Sequence, residues 1–371
     1  MQFTRAAVLV SLGLVTACAG AKQADTTPPQ PVQPAPAPAA EPAPAPAPVK
    51  PIPDGFFALT PNLVVPDVDA AVDFYAKALG AQKRYAMPGP DGKTMHAEIQ
   101  IGDSIIMIGQ EGPEMKSAKT LGGTPASLMV YSDDADALYA TAVAAGATAE
   151  MPVGHMFWGD RYGSFIDPFG LRWSVATHIE DLTDEQMMER QAIVAKVKNP
   201  KKAEKKWKKI AGTPATTAKP EHYHTVTPAY TCDNAAAAIE YYKVAFGAEE
   251  VSRMPGPKDT IMHAEVRFGD AVLMLSDEFP EMGGKSAKTL GGSPVSLMYY
   301  SEDVDAAFAK AAVEGTTTMF PPRDMFWGDR YGAFIDPSGY MWGVATHKED
   351  VPPEQLGERM KAQMAEDAPK S

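Results

Sequence analysis

Cysteine is almost absent from this chain of 371 residues: only Cys18 and Cys232 occur. A cationic excess is missing too. Lys and Arg number 34 against 47 Asp and Glu, a formal charge of −13. That balance argues against nucleic acid as a partner, because phosphate binding needs clustered cationic surface. The N-terminal apolar run, Ala6 to Val15, is too short to span a bilayer. The Lys-Ser-Ala-Lys-Thr-Leu-Gly-Gly segment from Lys116 is no phosphate loop, since it lacks the Gly-Lys-Ser/Thr order. Proline, by contrast, is abundant. Thirty-four prolines exceed what folded domains use, so part of the chain is a linker. A hydrophobic share of 45% with 22% charged residues is ordinary globular chemistry, and the length allows two or three domains.

Arg5, the short apolar run and Thr16-Ala17 match a secretory signal peptide over residues 1–17. Val15-Thr16-Ala17-Cys18 resembles a bacterial lipobox, which implies that Cys18 becomes a lipidated N-terminus. Lipidation uses one of the two thiols, so no intrachain disulfide is expected. Acyl chains contribute ~0.8 kcal/mol per buried CH₂ and would anchor the chain firmly. With Ala19 and no Asp after Cys18, the resemblance favours an outer-membrane lipoprotein facing the periplasm. Residues 18–55 read as a disordered Pro/Ala-rich stalk, extended at ~3.1 Å per residue and able to reach up to ~100 Å.

An internal repeat dominates the remainder. Met95-His96-Ala97-Glu98 returns as Met262-His263-Ala264-Glu265, 167 positions on. After an insertion at Gly283-Gly284, Met156-Phe157-Trp158-Gly159-Asp160-Arg161-Tyr162-Gly163 returns unchanged from Met325 to Gly332. Two copies of one domain are expected, at 56–180 and 223–349. Between them lies a charged helical connector, 181–222, with a helix from Asp184 to Val197 and lysines around Trp207. A tail, 350–371, looks like a weaker version of the same helix.

Val68, Ala71, Val72, Tyr75 and Leu79 have amphipathic helix spacing, closed by Gly80, and Ala235 to Phe246 repeats it before Gly247. A second helix in copy one carries Ala135, Leu138, Tyr139 and Ala142. Strands precede and follow each helix, so each copy is an α+β domain. Asp73-Phe74-Tyr75 with Leu79-Gly80, the Gly102-Asp103 turn, Asp133-Asp134 and Asp167-Pro168-Phe169-Gly170 together resemble the vicinal oxygen chelate (glyoxalase/bleomycin-resistance/dioxygenase) superfamily. The likeness is greatest to its 3-demethylubiquinone-methyltransferase-like branch. It implies two tandem glyoxalase-like domains, each of paired βαβββ modules forming a half-open barrel around a cavity.

In metal-dependent members the cavity carries His or Glu ligands. Transferred here, the first-strand position falls on Thr60 and Thr227, the fifth on Ser127 and Ser296, and the last on Ser174 and Gly343. Hydroxyls and glycine do not replace imidazole or carboxylate, so the usual metal site is expected to be absent, and no cofactor is assigned. His178 shares the parity of Ser174 but lies ~13 Å along the strand.

Two sets of residues remain. His96 and Glu98, with His263 and Glu265, alternate with apolar neighbours and should face the cavity, where each pair could share a metal or act as acid and base. A hydrogen-bonded polar pair without chemistry is the other reading. Trp158, Asp160, Arg161 and Tyr162, with Trp327, Asp329, Arg330 and Tyr331, form a turn suited to clamping a carboxylate or phosphate. Its alternative is a structural Arg161–Asp160 or Arg161–Asp167 pair. The expected protein is a membrane-anchored lipoprotein whose two domains pair within the chain and bind a small polar or anionic molecule. A lyase, isomerase or dioxygenase-type enzyme, or a cell-envelope scaffold, are the alternatives.

Overall fold

The computed structural model describes residues 49–89 and 91–367. The predicted signal peptide, Cys18 and most of the stalk lie outside the described residues. The first βαβββ module runs β1 (Leu59–Val65), α1 (Val68–Leu79), β2 (Gln82–Pro88), β3 (Thr94–Ile101) and β4 (Ser104–Gln110). A short α2 (Ala118–Leu121) leads to the second: β5 (Ala126–Tyr131), α3 (Ala135–Ala144), β6 (Thr148–His155), β7 (Asp160–Ile166) and β8 (Arg172–His178). The connector follows as β9 (Glu180–Asp181), α4 (Asp184–Lys196), α5 (Pro200–Trp207) and β10 (Thr213–Pro214).

Copy two repeats the order. Its first module is β11 (Val226–Cys232), α6 (Ala235–Phe246), β12 (Glu249–Pro255), β13 (Ile261–Phe268) and β14 (Ala271–Asp277). After α7 (Ala287–Leu290) come β15 (Val295–Tyr300), α8 (Val304–Ala311), β16 (Thr317–Asp324), β17 (Asp329–Ile335) and β18 (Met341–His347). The tail folds as α9 (Pro353–Asp367). The four long domain helices start alike. Asp67, Asp134, Asn234 and Asp303 each accept a hydrogen bond from a first-turn N–H, satisfying a donor that the helix itself leaves unpaired.

Two open eight-stranded mixed sheets result, as the resemblance implied, but each is assembled across the repeat. One has the order β16-β17-β18-β15-β1-β4-β3-β2 and the other β12-β13-β14-β11-β5-β8-β7-β6. β1 pairs antiparallel with β15, and β11 with β5. Each half-barrel therefore takes one module from each copy. The cause lies in the helices. Within copy one α1 packs on α3, and Tyr75 on α1 donates to buried Asp167 beyond β7 at 2.8 Å. Trp173 on β8 donates to the same carboxylate and lies 5.1 Å from the Tyr75 ring. Tyr242, Asp336 and Trp342 repeat this in copy two. Modules joined through their helices leave the β1 and β5 edges open to the other copy. Burying each such aromatic contributes ~1.5–3 kcal/mol, so this central layer ties the two halves together.

Candidate functional site

β3 alternates as its sequence suggests. Ala97, Ile99 and Ile101 are buried against the helices, while His96 and Glu98 line a cavity of about 760 Å³ on the concave face of the β1–β4/β15–β18 sheet. Their side chains keep 27% and 23% of their exposure, with His96 Nε2 4.0 Å from Glu98 Oε1, too long for a hydrogen bond. The facing wall comes from copy two: Trp327, Asp329 and Tyr331 on and before β17. The cavity thus joins the acid–base candidates of one copy to the aromatic turn of the other. Six methionines (Met87, Met95, Met107, Met115, Met298 and Met341) and Phe56, Tyr85, Tyr300 and Phe326 make most of the remaining surface. Thioether and aromatic walls suit an apolar ligand body and adapt to irregular shapes.

The expected guanidinium clamp does not form. On β7, Asp160 and Tyr162 face the concave side, so Arg161, with Gly163 and buried Phe165, faces the helices. Arg161 grips Asp136 at the start of α3 through two hydrogen bonds of 2.6 Å. Arg330 does the same with Asp305 at 2.7 and 2.8 Å. Strand parity is the reason: residue 161 cannot share a face with both 160 and 162. The partner is Asp136, not Asp160 or Asp167.

The rest of the turn is a tight internal network. In copy two Asp329 accepts from Trp327 Nε1 at 3.1 Å and from the Tyr300 hydroxyl at 3.3 Å, and meets His347 Nδ1 at 2.7 Å. His347 Nε2 lies 3.1 Å from Asp350. Copy one repeats every contact with Trp158, Tyr131, Asp160, His178 and Asp181. Hydrogen bonding to Asp160 and Asp329 outweighs burial and holds both imidazoles above their usual pKa. With both ring nitrogens engaged by carboxylates, neither histidine offers a free lone pair to a metal. Gly159 (φ +102°) and Gly328 (φ +101°) are required here, because a Cβ on either would collide with the carbonyl of Glu180 or Glu349. His178 does stand apart from Ser174, but pairing with Asp160 was not foreseen. The β7–β8 hairpin register sets it, standing residue 160 opposite residue 178, while the Asp three residues after each histidine takes the other ring nitrogen.

The family's metal positions do not fit an ion. Thr60 and Thr227 are buried beside methionines, in register with Met298 and Met129. Asn62 bridges to Ser296 at 3.2 Å. At the last-strand position a Cβ on Gly343 would stand 2.6 Å from the Tyr331 ring and 3.1 Å from Met298 sulfur. In copy one Tyr162 and Ser174 share a 2.7 Å hydrogen bond there. Hydroxyls, an amide and thioethers are the wrong donors for a divalent first-row ion. Among the described residues, no three His, Cys, Asp or Glu side chains converge as such an ion requires.

The second sheet differs. Tyr223, three residues before β11, packs into its concave face against Tyr131, Ala176, Val272 and Met274. Glu265 lies 3.3 Å from His263 Nε2 and 3.6 Å from His222 Nε2. Burial raises the Glu265 pKa, but hydrogen bonding from His263 and Tyr223 and the charges of His263 and His222 lower it further. Tyr223 and the Glu265 network thus occupy part of this concave face from within the chain.

Two open half-barrels, each built from βαβββ modules around a concave face, define a class of small-molecule-binding and metalloenzyme folds. The chain belongs to the Glyoxalase/Bleomycin resistance protein/Dioxygenase superfamily, whose family model matches residues 57–175 and 222–344. An uncharacterized protein of Mycobacterium bovis is 38% identical over 141 residues, 37% of this chain and 93% of that one. One from Mycobacterium tuberculosis is 38% identical over the same length, covering 83% of its chain. Glyoxalase I from Zea mays shares the fold, with a TM-score of 0.51 at 13% identity over 84% of this chain and 96% of the maize chain.

Proposed function

We propose that this protein is an envelope lipoprotein that binds one small organic molecule, with an apolar or aromatic body, and uses no metal at the family's usual position. The carrying observation is the 760 Å³ cavity lined by methionines and aromatics, a size that encloses a drug-sized ligand. The outward-facing Arg161 and Arg330 remove the reason to favour an anion. Lipidation at Cys18, outer-membrane location and membership of the 3-demethylubiquinone-methyltransferase-like branch belong to this proposal and rest on sequence resemblance. Native mass spectrometry of the mature chain, released from its own membrane in mild detergent, tests it. One organic molecule retained per chain is the expected result. A chain that retains none, and binds no member of an aromatic library, overturns it.

A second reading rests on His96 and Glu98 sharing the cavity wall at 4.0 Å. It is acid–base chemistry on the bound molecule, and it requires turnover that His96→Gln abolishes.

A further inference from the structure

The repeat pairs the cavity with a copy of itself whose carboxylate already has partners within the chain. Phe56 and Tyr223 are equivalent positions, 167 apart. Phe56 lies 5.6 Å from the Tyr300 ring, and Tyr223 lies 5.4 Å from that of Tyr131. Tyr300 and Tyr131 are themselves equivalent, each donating to the aspartate of its turn. The aromatic frames therefore match. The polar partners do not.

In the second half-barrel Glu265 lies 3.3 Å from His263 Nε2 and 3.6 Å from His222 Nε2, and the Tyr223 phenol is among the groups that hold its pKa down. In the open one the equivalents of Tyr223 and His222 are Phe56 and Gly55. Phe56 has no hydroxyl and Gly55 no side chain. Glu98 keeps only His96, at 4.0 Å. Tyr85, its cross-strand neighbour on β2, lines the same cavity. Of the other charged groups there, Asp329 and Asp350 are engaged by His347, and Arg84 is bonded to Gln100 at 2.8 Å.

We infer that Glu98 is the polar anchor of the ligand site, and that the ligand is an aromatic molecule carrying a hydrogen-bond donor, such as a protonated amine or a phenol, which replaces the hydroxyl and imidazole supplied internally to Glu265. A carboxylate left in an aromatic cavity without its repeat partners has unmet acceptor capacity, and a donor on the ligand meets it. An ammonium also gains from the faces of Trp327 and Tyr331. The inference rests on the cavity being a binding site, and its test separates the two claims.

Naphthylmethylammonium, methoxynaphthalene and naphthoate are titrated calorimetrically into the full chain. Because each shares one ring system, differences report the polar group. The ammonium is expected to bind ~10- to 100-fold more tightly than methoxynaphthalene. That advantage should vanish in Glu98→Gln, persist in His96→Gln and shrink in Phe56→Tyr, where the new hydroxyl takes the acceptor. Equal affinity for ammonium and methoxynaphthalene overturns the Glu98 assignment and leaves the cavity reading standing. Naphthoate binding best overturns it in favour of Arg84. If no probe binds, both readings fall.

Discussion

Arg161 and Asp136 hold each other through two hydrogen bonds of 2.6 Å, pinning the start of α3 to the helix-facing side of β7. Arg330 and Asp305 repeat the clasp between α8 and β17. These pairs are half-exposed, with Arg161 at 30% and Asp136 at 53%, so their worth is modest, ~0.5–1 kcal/mol each. Arg161→Ala with Arg330→Ala should lower the melting temperature by a few degrees and leave ligand affinity unchanged. Calorimetric unfolding alongside a binding titration checks both. Loss of affinity in the folded double variant would return the guanidinium to the site.

The sequence carried more of this architecture than of its site. Amphipathic spacing, the closing glycines and the internal repeat made two α+β domains legible, and the alternation around Ala97 and Ile99 placed His96 and Glu98 on the concave face. Exchange of modules between copies was not legible, because β1 pairs as readily with β5 as with β15 on strand pattern alone. The choice is made by helix packing around Tyr75, Asp167 and Trp173. Arg161 was misplaced for a simpler reason. Composition made the turn look like a clamp, but a strand sends neighbouring side chains to opposite faces, and that rule applied to Asp160-Arg161-Tyr162 puts the arginine outside.

The two bridged imidazoles predict a pH dependence. Their folded pKa values are raised by Asp160 and Asp329. Their stabilisation is fully present below the unfolded value near 6.5 and lost as pH rises through the raised folded value. Carboxylates lowered by partners, such as Asp136 and Asp305, contribute above their unfolded values and are lost as pH falls through the folded ones. Stability should therefore peak between the carboxylate range and about pH 6.5. His178→Gln with His347→Gln should flatten the alkaline limb in a series of melting curves. An unchanged slope above pH 6.5 would show that other groups set it.

Divalent ions should matter little. With Thr60, Ser296 and Gly343 at the family's ligand positions, the purified chain is expected to keep its melting temperature in excess chelator. A drop of several degrees, together with stoichiometric zinc, nickel or iron by elemental analysis, would mean that other side chains have rebuilt a site.

Anchoring is tested at Cys18. Cys18→Ser should move the protein from the membrane pellet to the soluble periplasmic fraction, since the sequence from Ala19 to Pro48 holds no apolar run long enough to enter a bilayer. Retention in the pellet would assign attachment to the lysines around Trp207 or to a protein partner. The structure makes the first of these the weaker explanation. Trp207 is buried, with the Arg190 guanidinium 5.0 Å from its ring, so it is spent on holding α4 against α5.

Tyr223 gives the sharpest stability test, because two substitutions remove different things. Tyr223→Phe keeps the ring against Tyr131 and deletes only the hydroxyl beside Glu265, which keeps His263 and His222 as partners, so the cost should be ~0.5–1.5 kcal/mol. Tyr223→Ala removes the ring as well and should cost ~3–5 kcal/mol. The larger change also opens space against Tyr131, Val272 and Met274, on a concave face whose aromatic frame matches that of the ligand cavity. An aromatic amine that binds once per wild-type chain should then bind twice, the second molecule meeting Glu265 where the phenol stood. Calorimetric stoichiometry on the folded Tyr223→Ala chain decides it. A ratio that stays at one, with the predicted loss of stability, would show that the half-barrel collapses around the missing ring. The second half-barrel would then be a packed core and not a latent site.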